Sequence, residues 1–187
     1  MLKYAILGFL KYRPMFGYEL KQAMDGSIQH FWNSKLSQIY ATLKTLEAEK
    51  KLLSKIENQD DKPDRKRYTI TQSGIADLDN WLATPLMTLS QTKDELLLKL
   101  FFGGSLNKSD ILMDLRLMHK LHEDKLKVYQ TTTKEIIQAS RESHPEWKND
   151  TLLWESTRRM GEMYEEMYIQ WLNETIQNIE KKWKNKK

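Results

Sequence analysis

The sequence of 187 residues contains no cysteine, which excludes disulfide bonds, thiolate metal sites and a cysteine nucleophile. Glycine and proline are scarce, with seven and four residues, so most of the chain should form regular secondary structure. The first uncharged run, residues 4–10, is far too short for a membrane span or for the core of a normal signal peptide. We therefore expect a soluble, uncleaved chain with no membrane partner, compatible with a reducing cytoplasm.

The chain also lacks a large net charge of either sign. Charged residues make up 30% of the chain, yet the net charge is only +4, so any electrostatic case for nucleic acid must rest on local clustering. The clearest cluster lies at residues 62–67, where four of the six residues are Lys or Arg. Hydrophobic residues make up 40%, which is enough to fill a real core.

Three short helices are predicted in the first part of the chain from the spacing of its apolar residues. The first covers residues 1–12 and ends before Pro14, because proline disfavours helical geometry in the residue that precedes it. The second begins at Gly17, and the pair Gly26-Ser27 suits its C-terminal end. The third starts after residues 33–34 or at Ser37, and its inward stripe consists of Ile39, Leu43 and Leu46.

A two-stranded hairpin is predicted after the third helix. Residues 52–57 loosely alternate, residues 58–65 are polar and rich in turn formers, and residues 68–70 are aromatic and β-branched. Thr71 and Gly74 then have the pattern of a helix cap, and Pro85 closes the first domain. We place that domain at residues 1–86.

A helix followed by a charged hairpin is the order of a winged helix-turn-helix. In that motif the helix lies in the major groove of DNA while the cationic loop rests on neighbouring phosphates. Short and long polar side chains at the start of such a helix can meet base edges and phosphates. The predicted DNA contacts are Tyr18 in the second helix, Ser37, Gln38, Tyr40 and Lys44 in the third, and Lys62, Arg65, Lys66 and Arg67 in the hairpin.

These contacts have plainer alternatives. Ser37 could serve only as an N-cap, and the ring of Tyr18 could be buried in the core of the domain. A run of charges is usually a solvated face, and alternate hairpin residues point to opposite faces, so only some of the four cations can touch DNA together. The position of the run directly after the third helix favours phosphate contact by at least two of them.

From Asp94 onward the pattern is helical almost throughout. Residues 95–102 form a short apolar helix, Asn107 or Ser109 caps a long helix to about residue 143, and Pro145 separates it from a second long helix at residues 150–183. At about 1.5 Å per residue each long helix is roughly 50 Å long, and the apolar face of the last one is too broad for a single partner helix. We therefore expect residues 87–187 to form an antiparallel long-helix dimerisation domain, in a chain of mainly α fold class with a small β-hairpin wing.

Several side chains in this second domain could bind a small ligand. His119 and His122 are three residues apart on a helix, but too few other ligands are near to complete a metal site. We expect them to line the interdomain or dimer surface, where a neutral imidazole could also hydrogen-bond an acidic ligand. Trp154 and Tyr164 could sandwich an aromatic acid whose carboxylate pairs with Arg158. An ordinary dimer core is an equally good interpretation. No cofactor and no metal is predicted.

Taken together, these segments resemble the larger branch of the PadR family of bacterial transcriptional regulators. The similarity rests on the Gly-Tyr-Glu-Leu motif at residues 17–20, the Ser-Gln-Ile-Tyr segment at 37–40, the Pro-Asp-Arg-Lys-Arg-Tyr wing at 63–68, and the helices from Asp94 onward. The resemblance implies a dimer that binds operator DNA, commonly as a repressor, and that a small molecule such as a phenolic acid releases.

One departure from the family pattern lies at Lys50 and Lys51, where many relatives have a glycine after the recognition helix. If one of these positions needs a left-handed conformation, a residue other than glycine costs roughly 1 kcal/mol there.

The leading hypothesis is thus a ligand-responsive, dimeric repressor in which the ligand alters the separation of two recognition helices. A winged-helix module that recruits a protein partner through its long helices is the alternative, because fold does not fix function. An enzyme is the weakest hypothesis, since the sequence offers no nucleophile–base pair, phosphate loop or metal quartet.

Overall fold

The structure is a computed structural model that describes residues 1–29, 31–59, 62–90 and 93–183. The chain divides into two compact units, Met1–Ser90 and Gln91–Lys187. Helices dominate both units, and one small antiparallel sheet lies in the first. Within the described ranges, no helix combines the length and the apolar character that crossing a membrane requires.

The first unit contains four helices: α1 (Leu2–Tyr12), α2 (Gly17–Ser27), α3 (Leu36–Ala48) and α4 (Gln72–Ala83). Helix α1 ends before Pro14 as predicted, and Arg13 is already extended. Helix α2 ends at Ser27, within the Gly26–Ser27 pair predicted for its C-terminal end, although no described glycine has a positive φ. The predicted inward stripe of α3 is confirmed, because Ile39, Leu43 and Leu46 are fully buried.

The sheet has three strands rather than the predicted two. They are β1 (Met15–Phe16), β2 (Leu52–Gln59) and β3 (Lys62–Ile70), in the order β1-β3-β2. Strand β1 pairs with β3 so that Met15 lies opposite Tyr68 and Phe16 opposite Arg67. Two residues are too short for an alternating pattern, which is why the sequence did not reveal this strand.

The turn between α3 and β2 contains a residue in the left-handed conformation, which was considered from the sequence for Lys50 or Lys51. Lys50 has a φ of 57°, so this residue carries the strain that glycine would avoid. The hydroxyl of Thr71 donates a hydrogen bond to the Lys50 carbonyl at 2.9 Å. The turn is therefore tied to the start of α4.

Lys51 ties the same turn to α4 directly and to α1 through the shared carboxylate of Asp77. Its Nζ lies 2.5 Å from Asp77 on α4 and 3.1 Å from Glu49, and Asp77 also pairs with Lys3 on α1 at 3.2 Å. The hydrogen bond from Lys51 lowers the pKa of Asp77, and the Lys3 ammonium adds to the effect. A Cβ at Gly74 would lie 2.4 Å from the Lys51 carbonyl oxygen, so α4 can approach this closely only with glycine there.

The predicted cap at the start of α4 is present. The side chain of Thr71 accepts a hydrogen bond from the Gly74 backbone N–H at 3.1 Å. Asn107 also takes the N-cap position predicted for it, before α6, although its side chain makes no capping hydrogen bond.

The second unit consists of α5 (Glu95–Phe102), α6 (Lys108–Val128), a π-helical turn (Tyr129–Thr133), α7 (Lys134–Ser143) and α8 (Lys148–Lys182). Short 3₁₀ turns at Gly103–Ser105 and Pro145–Trp147 separate the helices. Helix α8 packs along α6 and α7, and its buried core with α5 contains Leu96, Ile111, Leu115, Tyr168 and Leu172.

Many large apolar side chains of this second unit stay exposed. They come from α5, α6 and α8, and each exposes nearly half of its surface or more. They include Leu97, Leu98, Phe101, Phe102, Met113, Leu117, Leu153, Met160, Met163 and Met167. Exposed apolar surface of this kind favours an interaction site over a solvated surface.

Candidate nucleic-acid interface

A cleft of about 490 Å³ opens between the start of α2, helix α3 and strand β3. The three elements meet here because β1, directly before α2, pairs with β3. Its lining consists of Phe16, Gly17, Tyr18, Glu19, Tyr40, Arg65, Lys66 and Tyr68. Four of the residues predicted to contact DNA, Tyr18, Tyr40, Arg65 and Lys66, are therefore brought together.

Helix α3 presents a polar face at its N-terminus. Ser37, Gln38, Tyr40 and Lys44 are all exposed. The N-cap is Lys35, so the interpretation of Ser37 as an N-cap is wrong and its hydroxyl is not needed for that role. The side-chain oxygen of Gln38 instead accepts a hydrogen bond from the Lys35 backbone N–H at 2.9 Å. That bond orients the Gln38 amide at the helix start.

Tyr18 and Tyr40 stand on the two helices that flank the cleft. Tyr18 is exposed, so the alternative of a ring buried in the core is wrong, and its hydroxyl accepts a hydrogen bond from Gln22 at 3.2 Å. The ring of Tyr40 lies against Gly17, the first residue of α2. Glu19 caps the same helix by accepting a hydrogen bond from the Phe16 backbone N–H at 2.9 Å.

Arg65 and Arg67 share the outer face of β3 and both lie over the ring of Phe16. Their guanidinium carbons are 4.7 and 4.2 Å from its centroid, a cation–π arrangement that covers the ring. Arg67 also donates to Glu57 with an Nε–Oε1 distance of 2.6 Å. This hydrogen bond lowers the pKa of Glu57, so the carboxylate stays ionised beside the arginine.

Lys66 points to the opposite face of β3, as strand alternation requires. Its Nζ lies 3.4 Å from Oε2 of Glu47, in the last turn of α3. The other oxygen of Glu47 accepts a hydrogen bond from the Ser54 hydroxyl on β2. The Ser54 bond and the Lys66 charge together lower the pKa of Glu47.

Two further predicted contacts lie outside the cleft lining. Lys44 is exposed farther along α3, and the Arg67 guanidinium lies over the ring of Phe16. The side chain of Lys62 falls outside the described residues. Sequence reasoning missed Phe16, Gly17, Glu47 and Glu57, because their roles depend on which strands and helices become neighbours. The one signal in the sequence was the alternation of a strand over residues 65–68, which places Lys66 on one face and the two arginines on the other.

The predicted ligand residues of the second unit do not come together as one group. His122 and Tyr164 line a pocket of about 460 Å³ between α5, α6 and α8. His119 instead borders a shallow depression with Arg116 and pairs with Glu123 at 3.6 Å. Trp154 packs edge-on against Trp147.

Arg158 is committed to the fold rather than to a ligand. Its side chain is only 7% exposed, and its guanidinium lies 2.7 Å from Glu155 and 3.0 Å from Glu162. It also donates a 3.0 Å hydrogen bond to the Tyr129 carbonyl, at the start of the π-helical turn. The expectation that Arg158 binds a ligand carboxylate therefore has no geometric support.

The pocket that contains His122 and Tyr164 is built around a hydrogen-bonded core. His122 stacks on Tyr168 with ring centroids 4.0 Å apart and bonds Glu165 through Nδ1. The Tyr168 hydroxyl donates to Asp94 at 2.6 Å, and Asp94 caps α5. Burial raises the pKa of Tyr164 and Tyr168, so their phenols remain protonated at neutral pH.

Across the described ranges, no group of three His, Asp or Glu residues is arranged to hold a metal ion.

Comparison with known proteins identifies the domains of the chain. Residues 6–80 match the transcriptional regulator PadR-like family, and residues 92–180 match the virulence activator alpha C-terminal domain. Together the two matches cover most of the chain, in the order that the two units follow. The chain contains a PadR-like domain. Its curated relatives are transcriptional regulators, which confirms the prediction that the chain is not an enzyme.

Individual PadR proteins match over nearly the whole length. The negative transcriptional regulator PadR of Bacillus subtilis is 29% identical over 187 aligned residues, 97% of this chain and 98% of the relative. Its crystal structure in complex with operator DNA has a TM-score of 0.77, covering 95% of this chain and 97% of that one. Its complex with p-coumaric acid has a TM-score of 0.69 at 27% identity, covering 96% and 99%. The predicted fold class, a winged helix with long C-terminal helices, is confirmed.

Proposed function

We propose that this PadR-like protein is a dimeric, sequence-specific DNA-binding repressor that a small aromatic ligand releases from its operator. The observation that carries the proposal is the cleft between α2, α3 and β3, which Tyr18, Tyr40, Arg65 and Lys66 all line with exposed side chains. The relative from B. subtilis has been crystallised with operator DNA, which supports the same partner here.

The chemistry of the cleft suits a duplex. Tyr40 and the amide of Gln38 sit at the exposed start of α3, where a recognition helix meets base edges and thymine methyl groups. Arg65 supplies a cation for a phosphate, and Tyr18 in the first turn of α2, whose N-terminus favours anions, supplies a hydroxyl from an exposed side chain.

Dimer formation is supported by the exposed apolar side chains of the second unit. Leu153, Met160 and Met167 recur at seven-residue spacing along α8 and are each more than half exposed. A second copy of the chain would bury these side chains with two-fold symmetry. Such a dimer presents two recognition helices to half-sites about one helical turn, or roughly 34 Å, apart. A DNA partner would place the protein in the cytoplasm of the cell.

An aromatic acid is the effector that we propose, by analogy with the relative that was crystallised with p-coumaric acid. The pocket between α5, α6 and α8 offers Leu96, Leu117 and Met118 to a ring. His122, Tyr164 and Lys93 line it as polar groups able to donate to a carboxylate. The ligand would act by stabilising a dimer geometry that does not match the operator.

The test is a mobility-shift titration with the promoter region of the protein's own gene. Wild-type protein should shift this fragment, and Tyr40→Ala and Arg65→Ala should each weaken the shift at least tenfold. Lys11→Ala removes one exposed cation from α1, outside the cleft, and is the matched control. Circular dichroism and sedimentation should show that all variants fold and dimerise alike. Unchanged binding by both cleft variants would contradict the assignment of this surface.

Adding p-coumaric acid to the shifted complex tests the effector. It should release the DNA and raise the melting temperature of the wild-type protein, with a weaker effect on Tyr164→Ala. No change at millimolar concentration would exclude this ligand class. Weak, salt-insensitive DNA binding together with a stable complex containing another protein would favour the protein-interaction module instead.

A further inference from the structure

Two of the three wing cations whose side chains are described already have a carboxylate partner. Lys66 is paired with Glu47 of α3, and Arg67 is paired with Glu57 of β2. Arg65 makes no ion pair with any described residue, although it lies over Phe16. The wing therefore carries less available positive charge than its sequence implies.

The partner of Lys66 is held in place. Because the Ser54 hydroxyl binds one oxygen of Glu47, the carboxylate is fixed between α3 and both long strands of the sheet. Its pKa is lowered by the same contacts, so it remains negative at neutral pH. A phosphate that binds Lys66 must either displace the Glu47 carboxylate or bind beside it, where the two negative charges repel each other.

The partner of Arg67 is equally close. Glu57 accepts hydrogen bonds from Nε at 2.6 Å and from one terminal nitrogen at 3.4 Å. The ring of Phe16 holds the same guanidinium from another side. Fork-shaped contacts of this kind are the strong form of an arginine–carboxylate pair, and a phosphate would have to replace both hydrogen bonds.

We propose that Glu47 and Glu57 are specificity-determining residues that mask Lys66 and Arg67 in the DNA-free protein. The proposal rests on DNA binding as the function of the cleft. Non-specific DNA is bound almost entirely through phosphates, so masked cations weaken it directly. An operator also engages the polar start of α3, and those added contacts can offset the breaking of the two pairs. Masking therefore widens the gap between operator and random DNA, which matters because a genome offers millions of competing sites.

The experiment compares Glu47→Gln, Glu57→Gln and Glu49→Gln. The third variant is the matched control, because it removes the same charge from the end of α3 but its residue pairs with Lys51 instead of a wing cation. Fluorescence anisotropy measures the affinity of each protein for a random duplex and for a genomic fragment selected by the wild type, over a series of salt concentrations. Glutamine at position 47 can still accept from Ser54, which protects the fold.

Glu47→Gln and Glu57→Gln should each bind the random duplex roughly two- to fivefold more tightly than the Glu49→Gln control at low salt. Each released cation that meets a phosphate should steepen the salt dependence by about 0.9 log units per log unit of salt. The preference for the selected fragment over the random duplex should fall. Adding Lys66→Ala to Glu47→Gln should remove that variant's gain.

Random-duplex affinities and salt slopes equal to those of Glu49→Gln would overturn the masking proposal. This arm does not depend on an operator, so it decides the proposal even if no fragment is preferred. If the wild-type protein bound the selected fragment no more tightly than the random duplex, the proposed function would be contradicted instead.

Discussion

The aromatic ring of Tyr40 lies against the backbone of Gly17, so close that a Cβ on Gly17 would be 2.5 Å from Cε1 of that ring. Gly17 is the first residue of α2, and Tyr40 stands on the exposed face of α3. The absence of a side chain at one helix start therefore determines where the tyrosine of the next helix stands.

Replacing Gly17 with Ala should weaken DNA binding without weakening the fold. The new methyl group would push aside the outer atoms of the Tyr40 ring, which is half exposed and free to rotate away, while alanine suits the helical backbone better than glycine. We expect at least a fivefold loss of affinity in anisotropy titrations and an unchanged or higher melting temperature.

Gly8→Ala is the control for this substitution. Gly8 also lies in a helix, and nothing stands within 4 Å of the position that its Cβ would take. It should stabilise α1 by up to about 1 kcal/mol and leave DNA binding alone. Equal DNA affinities for the two variants would show that the position of Tyr40 does not matter.

The left-handed turn at Lys50 makes a prediction about stability. Lys50→Val should lower the free energy of unfolding by about 1–2 kcal/mol, because a β-branched residue tolerates a φ of 57° poorly. Lys50→Gly should be neutral or slightly stabilising, since relief of strain offsets the greater freedom of the unfolded chain. Urea unfolding followed by circular dichroism measures both, and a Lys50→Val protein as stable as Lys50→Gly would contradict the assigned conformation.

Acid should destabilise the first unit partly through Asp77. Its pKa is lowered in the folded state by Lys51 and Lys3, so it contributes stability above the pKa of the unfolded chain and loses it as pH falls through the folded value. The loss should begin below about pH 4. In urea titrations at pH 7 and pH 3, Asp77→Asn should be less stable than wild type at pH 7, and the gap should narrow at pH 3. Asp79→Asn, whose carboxylate has only an exposed contact to Lys11, is the control. A gap of the same size at both values would exclude the linkage.

Arg158 should matter for stability and not for ligand contact. Arg158→Met removes the hydrogen bonds that Arg158 donates to the Tyr129 carbonyl, Glu155 and Glu162, which should lower stability by about 2 kcal/mol or more. Arg159→Met is the control, because Arg159 pairs with the same Glu162 but is half exposed. Urea unfolding at one fixed protein concentration compares the two. If Arg158→Met kept full stability and lost only ligand affinity, the structural role would be refuted.

Local sequence patterns predicted most of the helices because their buried faces are regular. The stripe of Ile39, Leu43 and Leu46, the cap at Thr71 and the stop before Pro14 all depend on neighbours within a few residues. The left-handed turn was raised only as a condition, from the missing family glycine at Lys50 or Lys51, and the structure places it at Lys50.

Contacts between residues far apart in the sequence were not predicted. The pair Lys66–Glu47 links residues 19 positions apart, and Arg67–Glu57 links residues 10 positions apart, so both depend on strand register. The π-helical turn was also missed, although three consecutive β-branched threonines at residues 131–133 weaken a regular helix there. Arg158 could be understood only after that turn was known.

The central claim is that two copies of the chain read DNA with the cleft around Tyr40. Hydroxyl-radical footprinting on a fragment selected from the source genome tests it most directly. The account predicts two protected patches whose centres lie one helical turn, or a multiple of it, apart, and their loss with Tyr40→Ala while the protein remains a dimer. A single patch, or the same two patches with Tyr40→Ala, would contradict it.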